Sequence, residues 1–344
     1  MRPGRVTLQQ VAERAGVSRT TASFVLTGRQ ADMRISDDAR DRVLRAANEL
    51  DYRPNRISRG LRTSVTHTIG LVSDTIAAEP FAGDVIRGAV TAALAVDRML
   101  FVVETGGDPH AEDQLIRDLL DRQVDGFIYA AMFTQEVQVP ARLSDQPLVL
   151  LNCTAVGAAV PAVIPDEINA GRDAAQTLLD AGHRDGIFIV GEPAPHVFAG
   201  RERVTGINEA LAAADVRLSG VLECGWEPVP AHAAVCELLA TRSQLSALIC
   251  LNDRVALGTY EALAEARLKM PEDVSVVSFD DSFLAPWLRP ALTSLALPHY
   301  DMGKRAVELL IEGGADAAEH RVPMPVRHRE SVAAPRSQLS RPLA

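Results

Sequence analysis

Near the N-terminus, apolar positions recur at helical rather than strand spacing. Leu8, Val11, Ala12 and Ala15 form one stripe, and Val17, Ala22, Val25 and Leu26 form a second, which predicts two short helices. Thr7 with Gln10 three residues on makes a capping box, pairing amide donors otherwise stranded at a helix start. Gly16 permits a tight reversal, and Ser18 can cap the second helix. After a loop from Thr27 to Ile35, Val43, Leu44, Ala47 and Leu50 give a third helix its core face. Ser36 caps it, and Asp37 and Asp38 sit in its first turn, where the helix dipole favours negative charge. Two helices joined by a glycine turn leave the second one's first turn exposed and shaped for a DNA major groove. The opening pattern is therefore that of a helix-turn-helix.

From Ile69 the pattern changes. Short apolar runs, Ile69–Ser73, Met99–Val103, Val124–Tyr129 and Leu148–Leu151, alternate with amphipathic stretches near 82–97, 111–122 and 167–181. The alternation resumes with Gly186–Val190, Ala247–Leu251 and Val274–Ser278, accompanied by helical patterns near 200–214, 231–242 and 254–266. Apolar runs spaced by helices predict strands covered on both faces, hence α/β architecture with doubly wound parallel sheets. Two successive sets predict two similar subdomains. The stretch from Ala333 to Ala344 carries two prolines and no heptad, so no C-terminal coiled coil is expected.

Charge sharpens this division. The first 64 residues hold 13 Arg and no Lys against 7 acidic residues, a net of +6, within a chain whose total is −10. A basic head on an acidic body is the asymmetry expected when one end contacts phosphate. With 47% hydrophobic residues the 344-residue chain can build large cores, yet it holds no run of about 18 apolar residues, so no membrane span is expected. Met-Arg-Pro-Gly-Arg leads straight into the first helix without a secretory signal, which predicts a cytoplasmic protein. Cys153, Cys224, Cys236 and Cys250 show no close pairing and read as buried, reduced thiols rather than a metal site. There is no G-x-G-x-x-G after the first core strand, no phosphate loop, no H-E-x-x-H and no G-x-S-x-G, and His67, His110, His183, His196 and His232 are scattered. Neither catalysis nor a cofactor is expected.

The chain resembles the lactose-repressor (LacI/GalR) family of bacterial transcription regulators along almost its whole length. The head carries the resemblance in Thr7-Leu8, Val11-Ala12, Ala15-Gly16-Val17-Ser18, Thr21, Ser23, Ile35-Ser36, Leu50-Asp51-Tyr52, Pro54-Asn55 and Arg59-Gly60-Leu61-Arg62. The core carries it in Ile69-Gly70-Leu71, Val124-Asp125-Gly126, Gly182-His183-Arg184, Arg203 with Gly206, Asn252-Asp253, Pro271-Glu272-Asp273-Val274-Ser275 and Phe279-Asp280-Asp281. The resemblance implies a headpiece with a hinge helix over 1–64 and a periplasmic-binding-protein-like effector and dimerisation core over 65–335. That core would divide into an N-subdomain (about 66–166 plus 297–323) and a C-subdomain (about 167–294 plus 324–335), with 336–344 as a tail. It also implies a homodimer that reads a pseudo-palindromic operator in double-stranded DNA, one head per half-site.

The resemblance places base-reading side chains at Arg19, Thr20 and Phe24. Arg19 can donate a bidentate pair to guanine, and Thr20 can bond a base edge or touch a thymine methyl. Phe24 departs from the polar residue more usual there; it either packs on a thymine methyl or completes the core of the head. Thr7, Ser18, Thr21 and Ser23 are candidate phosphate contacts, although capping explains several of them equally well. Asn55, Arg59 and Leu61 belong to the expected hinge helix, with Leu61 as a wedge between base steps of the minor groove. Effector contacts fall by resemblance on Phe81, Asn152, Arg203, Trp226, Asn252 and Asp280. Asn152, Asp253 and Asp280 follow apolar runs, at the strand ends where doubly wound sheets leave a crevice. A guanidinium fork with a carboxylate suits the vicinal diols of a sugar or related polyol, and Trp226 and Phe81 offer stacking faces. Glu79 and Ala82 depart from the sugar-responsive pattern, which leaves nucleosides and sugar phosphates open as effectors.

Overall fold

In the computed structural model, residues 6–29, 33–52, 65–76, 82–241, 244–313 and 318–336 are described. The chain divides into two units, Met1–Thr66 and His67–Ala344. Local chemistry builds the first. Helices α1 (Leu8–Ala15), α2 (Arg19–Leu26) and α3 (Asp37–Glu49) start at Thr7, Ser18 and Ser36, whose hydroxyls accept the backbone N–H of Gln10, Thr21 and Ala39. The capping box is complete, and Gly16 ends α1 at φ 66°, a conformation that costs glycine little. Val11, Ala12, Ala15, Ala22, Val25, Val43, Ala46 and Ala47 close the core of this unit.

The second unit contains two six-stranded sheets with the same strand order. The first joins β1 (Thr68–Ser73), β2 (Met99–Glu104), β3 (Phe127–Val137), β4 (Leu148–Ala155), β5 (Ala162–Pro165) and β11 (Glu319–Val322), ordered β11-β5-β4-β3-β1-β2 and parallel throughout. The second joins β6 (Ile187–Gly191), β7 (Gly220–Glu223), β8 (Ala247–Cys250), β9 (Ser275–Asp280), β10 (Thr293–Ala296) and β12 (Val326–Arg327), ordered β12-β10-β9-β8-β6-β7. Only β12 in this second sheet runs antiparallel. In each sheet the order reverses beside its first strand, the switch point at which such folds open a crevice.

Helices cover both faces, which is why the strands read as continuous apolar runs. On the first sheet, α4 (Ala82–Ala95) and α10 (His299–Glu312) bury Val85, Ala89, Met302 and Ala306 against Ile69, Leu71, Ile128 and Leu151. The other face receives α5 (Pro109–Asp121) through Ile116 and Leu119. On the second sheet, α6 (Glu167–Asp180) and α7 (Phe198–Ala213) pack on Ile187, Ile189 and Ile249. Its opposite face is covered by α8 (Pro228–Ala240) and α9 (Asp253–Glu265), with Val235, Val255 and Leu263 in the core. The chain passes between sheets after β5, after β10 and after β11. No helix among the described residues is long and apolar enough to cross a membrane.

Three expectations need correction. The alternating pattern omits β5, β7, β10, β11 and β12, whose runs of two to four residues are too short to show locally, and also α10, although its 14 residues are amphipathic. Strand β3 continues to Val137 across a register shift between Ala130 and Gln135, well past the apolar stretch. Cys153 and Cys250 are buried, but Cys224 and Cys236 are only half-buried, because each lies where an element meets the surface. His183 of the Gly-His-Arg turn is structural: its Nδ1 lies 3.1 Å from Ser246 Oγ, and its Nε2 lies 3.0 Å from both Ser275 Oγ and the Ala333 carbonyl.

Candidate functional site

Between the two sheets lies a cleft of about 380 Å³, lined by strand ends and helix starts. Asn152, Arg203, Trp226, Asn252 and Asp280 all line it, so the tertiary fold brings together five of the six predicted effector residues. Phe81 lies outside the described residues.

Arg203 is the centre of this cleft. It stands in the second turn of α7, which crosses α6 at very close range. A Cβ at Gly171 would lie 2.1 Å from the Arg203 carbonyl oxygen, and one at Gly206 would lie 1.9 Å from that of Ile168. This crossing sets Glu167, the first residue of α6, against the guanidinium. Nε donates to Glu167 Oε2 at 2.7 Å and Nη2 to Oε1 at 3.0 Å, a bidentate pair with both side chains almost fully buried. Nη1 donates to the Leu251 carbonyl and lies 3.6 Å from Asp280 Oδ1. The guanidinium also covers the Phe279 ring, 4.6 Å from its centroid. Burial opposes the charge on Arg203, but the carboxylates of Glu167 and Asp280 more than reverse this and raise its pKa. Burial pushes the Asp280 carboxyl up to about 7, against the pull of Arg203.

The two predicted asparagines are engaged within the protein. Asn152 Oδ1 accepts from Thr134 Oγ1 at 2.6 Å, while Nδ2 donates to the carbonyls of Ala131 (3.1 Å) and Met132 (2.9 Å). It therefore holds the irregular bend of β3 at the cleft wall. Asn252 caps α9 by accepting from Val255 N at 2.7 Å, and its Nδ2 donates to the Trp226 carbonyl at 3.2 Å, fixing the segment that carries the indole. Asp253 faces inward, accepting from Ser282 N at 2.7 Å and Ser294 Oγ at 2.8 Å. Burial raises its pKa despite those bonds.

Sequence reasoning missed Glu167, Thr134 and His299, all of which line the cleft. No local pattern marks them, since Glu167 reads as an ordinary first-turn acid and His299 follows a proline without a motif. Burial pulls the His299 pKa down to about 4 although Asp84 opposes it, so the imidazole is neutral near pH 7.

On α2, Ser18, Arg19 and Thr20 are exposed in the first turn, and Thr21, Ser23 and Phe24 are half-buried. Ser18 Oγ accepts from Thr21 N at 3.0 Å, so its first task is capping. Thr7 is likewise committed to Gln10. Phe24 is not part of the apolar core of the head, and the Arg29 guanidinium lies 5.5 Å from its ring centroid. The reading of Phe24 as a core residue is therefore replaced by that of a side chain under a cation. Asn55, Arg59 and Leu61 lie outside the described residues.

Two family descriptions match the chain: "Bacterial regulatory proteins, lacI family" over residues 7–55 and "Periplasmic binding proteins and sugar binding domain of LacI family" over residues 66–330. The chain is similar to the HTH-type transcriptional regulator AscG of Escherichia coli, with 31% identity over 96% of this chain and 99% of that protein. It is also similar to the ribose operon repressor of Haemophilus influenzae, with 30% identity over 89% of this chain and 91% of that one. Its fold is similar to that of the lac repressor dimer bound to operator and the anti-inducer ONPF. That likeness has a TM-score of 0.77, covers 96% of this chain and 100% of the other at 24% identity, and is one of fold alone.

Proposed function

The chain belongs to the LacI family of bacterial regulatory proteins, and on that premise we propose a repressor whose grip on operator DNA changes when a neutral sugar or related polyol occupies the Arg203 cleft. It is a ligand-responsive, DNA-binding transcriptional regulator that partners double-stranded operator DNA as a homodimer. The reading extends to a cytoplasmic protein without catalysis of its own. Arg19 and Thr20 would read bases, with Thr7, Ser18, Thr21, Ser23 and Phe24 beside them, and Asn55, Arg59 and Leu61 would act from the hinge.

One observation carries the choice of effector: the buried Arg203 is already neutralised by the Glu167 carboxylate, with Asp280 at its other side. At the rim Arg254 pairs with Glu227 at 3.0 Å. The arginines lining the cleft therefore do not outnumber the carboxylates, so a sugar phosphate or other anion would meet no net positive field. A neutral diol suits it: hydroxyls can donate to Asp280 and accept from Arg203, while the sugar's apolar face rests on Trp226. Such a ligand must bind two states unequally to act, typically with a coupling of about 1–3 kcal/mol.

A thermal-shift screen of neutral sugars, nucleosides and sugar phosphates on the full chain tests this, paired with anisotropy of labelled operator fragments. The expected result is stabilisation by a neutral polyol that disappears in Asp280→Asn, with operator affinity altered by the same compound. Arg19→Ala should weaken operator binding by about 1–3 kcal/mol. Normal effector responses in both Arg203→Ala and Asp280→Asn would remove the cleft assignment. Undiminished operator binding after deletion of residues 1–64 would remove the DNA reading.

A further inference from the structure

Away from the cleft, on the outer face of the second sheet, α8 and α9 bring together three side chains of different donor type. His232 and Cys236 stand one turn apart on α8, and Glu265 is the last residue of α9. His232 Nε2 lies 3.0 Å from Glu265 Oε2 and 3.7 Å from Cys236 Sγ, and one ligand atom from each lies within 4.8 Å of the others. Among the described residues this is the one grouping of three such ligands. We propose that His232, Cys236 and Glu265 form a binding site for a divalent cation of the zinc class, with water in the fourth position.

The spacing supports this directly. Metal–sulfur bonds of about 2.3 Å and metal–nitrogen or metal–oxygen bonds of about 2.0–2.2 Å put neighbouring ligands of a tetrahedral ion roughly 3.3–3.6 Å apart. The His232–Glu265 separation needs a change of only a few tenths of an ångström, while Cys236 Sγ, 3.7 and 3.9 Å from the two ring nitrogens, must turn about its χ1 toward the Nε2 lone pair to reach the ion. One thiolate, one imidazole and one carboxylate is a borderline-soft set, suited to zinc or cobalt and poorly suited to magnesium or calcium, which take oxygen ligands. The backbone also holds the two helices in place. A Cβ at Gly258 of α9 would lie 2.0 Å from the Pro228 carbonyl oxygen and 3.0 Å from the backbone nitrogen of His232, so α9 touches α8 at the turn that carries the imidazole. Glu265 sits where the unpaired carbonyls of α9 favour a cation. His232 and Glu265 side chains are 30% and 67% exposed, leaving an entry path from solvent.

The test is cobalt titration of the tag-free full chain under a thiol-free reductant, followed by zinc competition. The expected result is a tetrahedral cobalt spectrum with a sulfur-to-cobalt charge-transfer band, bleached by zinc. The band should vanish in Cys236→Ser and persist in Cys224→Ser. Zinc affinity should fall in His232→Ala by more than the roughly 10–100-fold that loss of an outer-shell partner costs. In Glu265→Gln affinity should fall while the charge-transfer band is retained. Unchanged circular dichroism separates ligand loss from unfolding. An octahedral cobalt spectrum, or a thiolate band that survives Cys236→Ser or is lost in Cys224→Ser, overturns the proposal.

Discussion

Asn152 in β4 and Asp280 at the end of β9 occupy equivalent places in two sheets of one strand order. Both turn the backbone to positive φ at the cleft, 57° for Asn152 and 99° for Asp280, where Asn and Asp are the side chains that tolerate it best. Their chemistry then diverges. The first sheet presents an amide saturated by Thr134 and two carbonyls of β3, whereas the second presents a carboxyl beside a buried guanidinium and a second carboxylate. The shared topology supplies two facing walls, and the residues at the cleft decide that one wall is neutral and bonded within itself while the other carries the buried charges.

The largest break in this comparison should come from Arg203→Ala. It strands Glu167 as a buried, unpaired charge, and removing one partner of such a pair costs about 3–5 kcal/mol. Denaturant unfolding should show that loss together with loss of the effector response. A loss below about 1 kcal/mol would mean the charges are hydrated and the second wall is not a buried charge cluster.

Asn152→Ala should cost less, about 1–3 kcal/mol, because it leaves buried carbonyls of β3 without a donor and puts alanine at positive φ. Effector affinity should fall through the displaced wall rather than through a lost contact. The expected signature is loss of effector affinity together with loss of stability. A variant with unchanged unfolding free energy but lost effector affinity would make Asn152 a direct contact and erase the distinction between the walls.

The gentlest probe is pH. Asp280 is raised from an unfolded value near 4 to about 7, so the folded state holds its proton longer. Its contribution is fully present at low pH and is lost as pH climbs through that window. His299, at the start of α10 on the first sheet, is lowered from 6.5 to about 4. The unfolded chain takes its proton first, and stability is lost as pH falls through that window. Each slope is at most about 1.4 kcal/mol per pH unit. Unfolding midpoints between pH 4 and 7 should therefore rise more steeply with pH in Asp280→Asn than in wild type, and less steeply in His299→Gln. Parallel profiles in all three proteins would show that neither wall titrates.

The amino-acid sequence by itself determined the caps at Thr7, Ser18 and Ser36, the turn at Gly16 and the alternation of apolar strands with amphipathic helices. Each of these depends on hydrogen bonds or periodicity spanning a few residues, and propensity and pattern act at that range. It also marked Asn152, Asp253 and Asp280 by their places after apolar runs, and Arg203 and Asn252 by resemblance to the family. Only the tertiary structure decided that Glu167 clamps Arg203 from 36 positions away, that Asn152 bonds to Thr134 and two carbonyls of β3, and that Phe24 lies outside the head's core. Those outcomes depend on which helices cross and which strands pair, and the close approach at Gly171 and Gly206 that seats the guanidinium exists only once both helices have docked on the sheet.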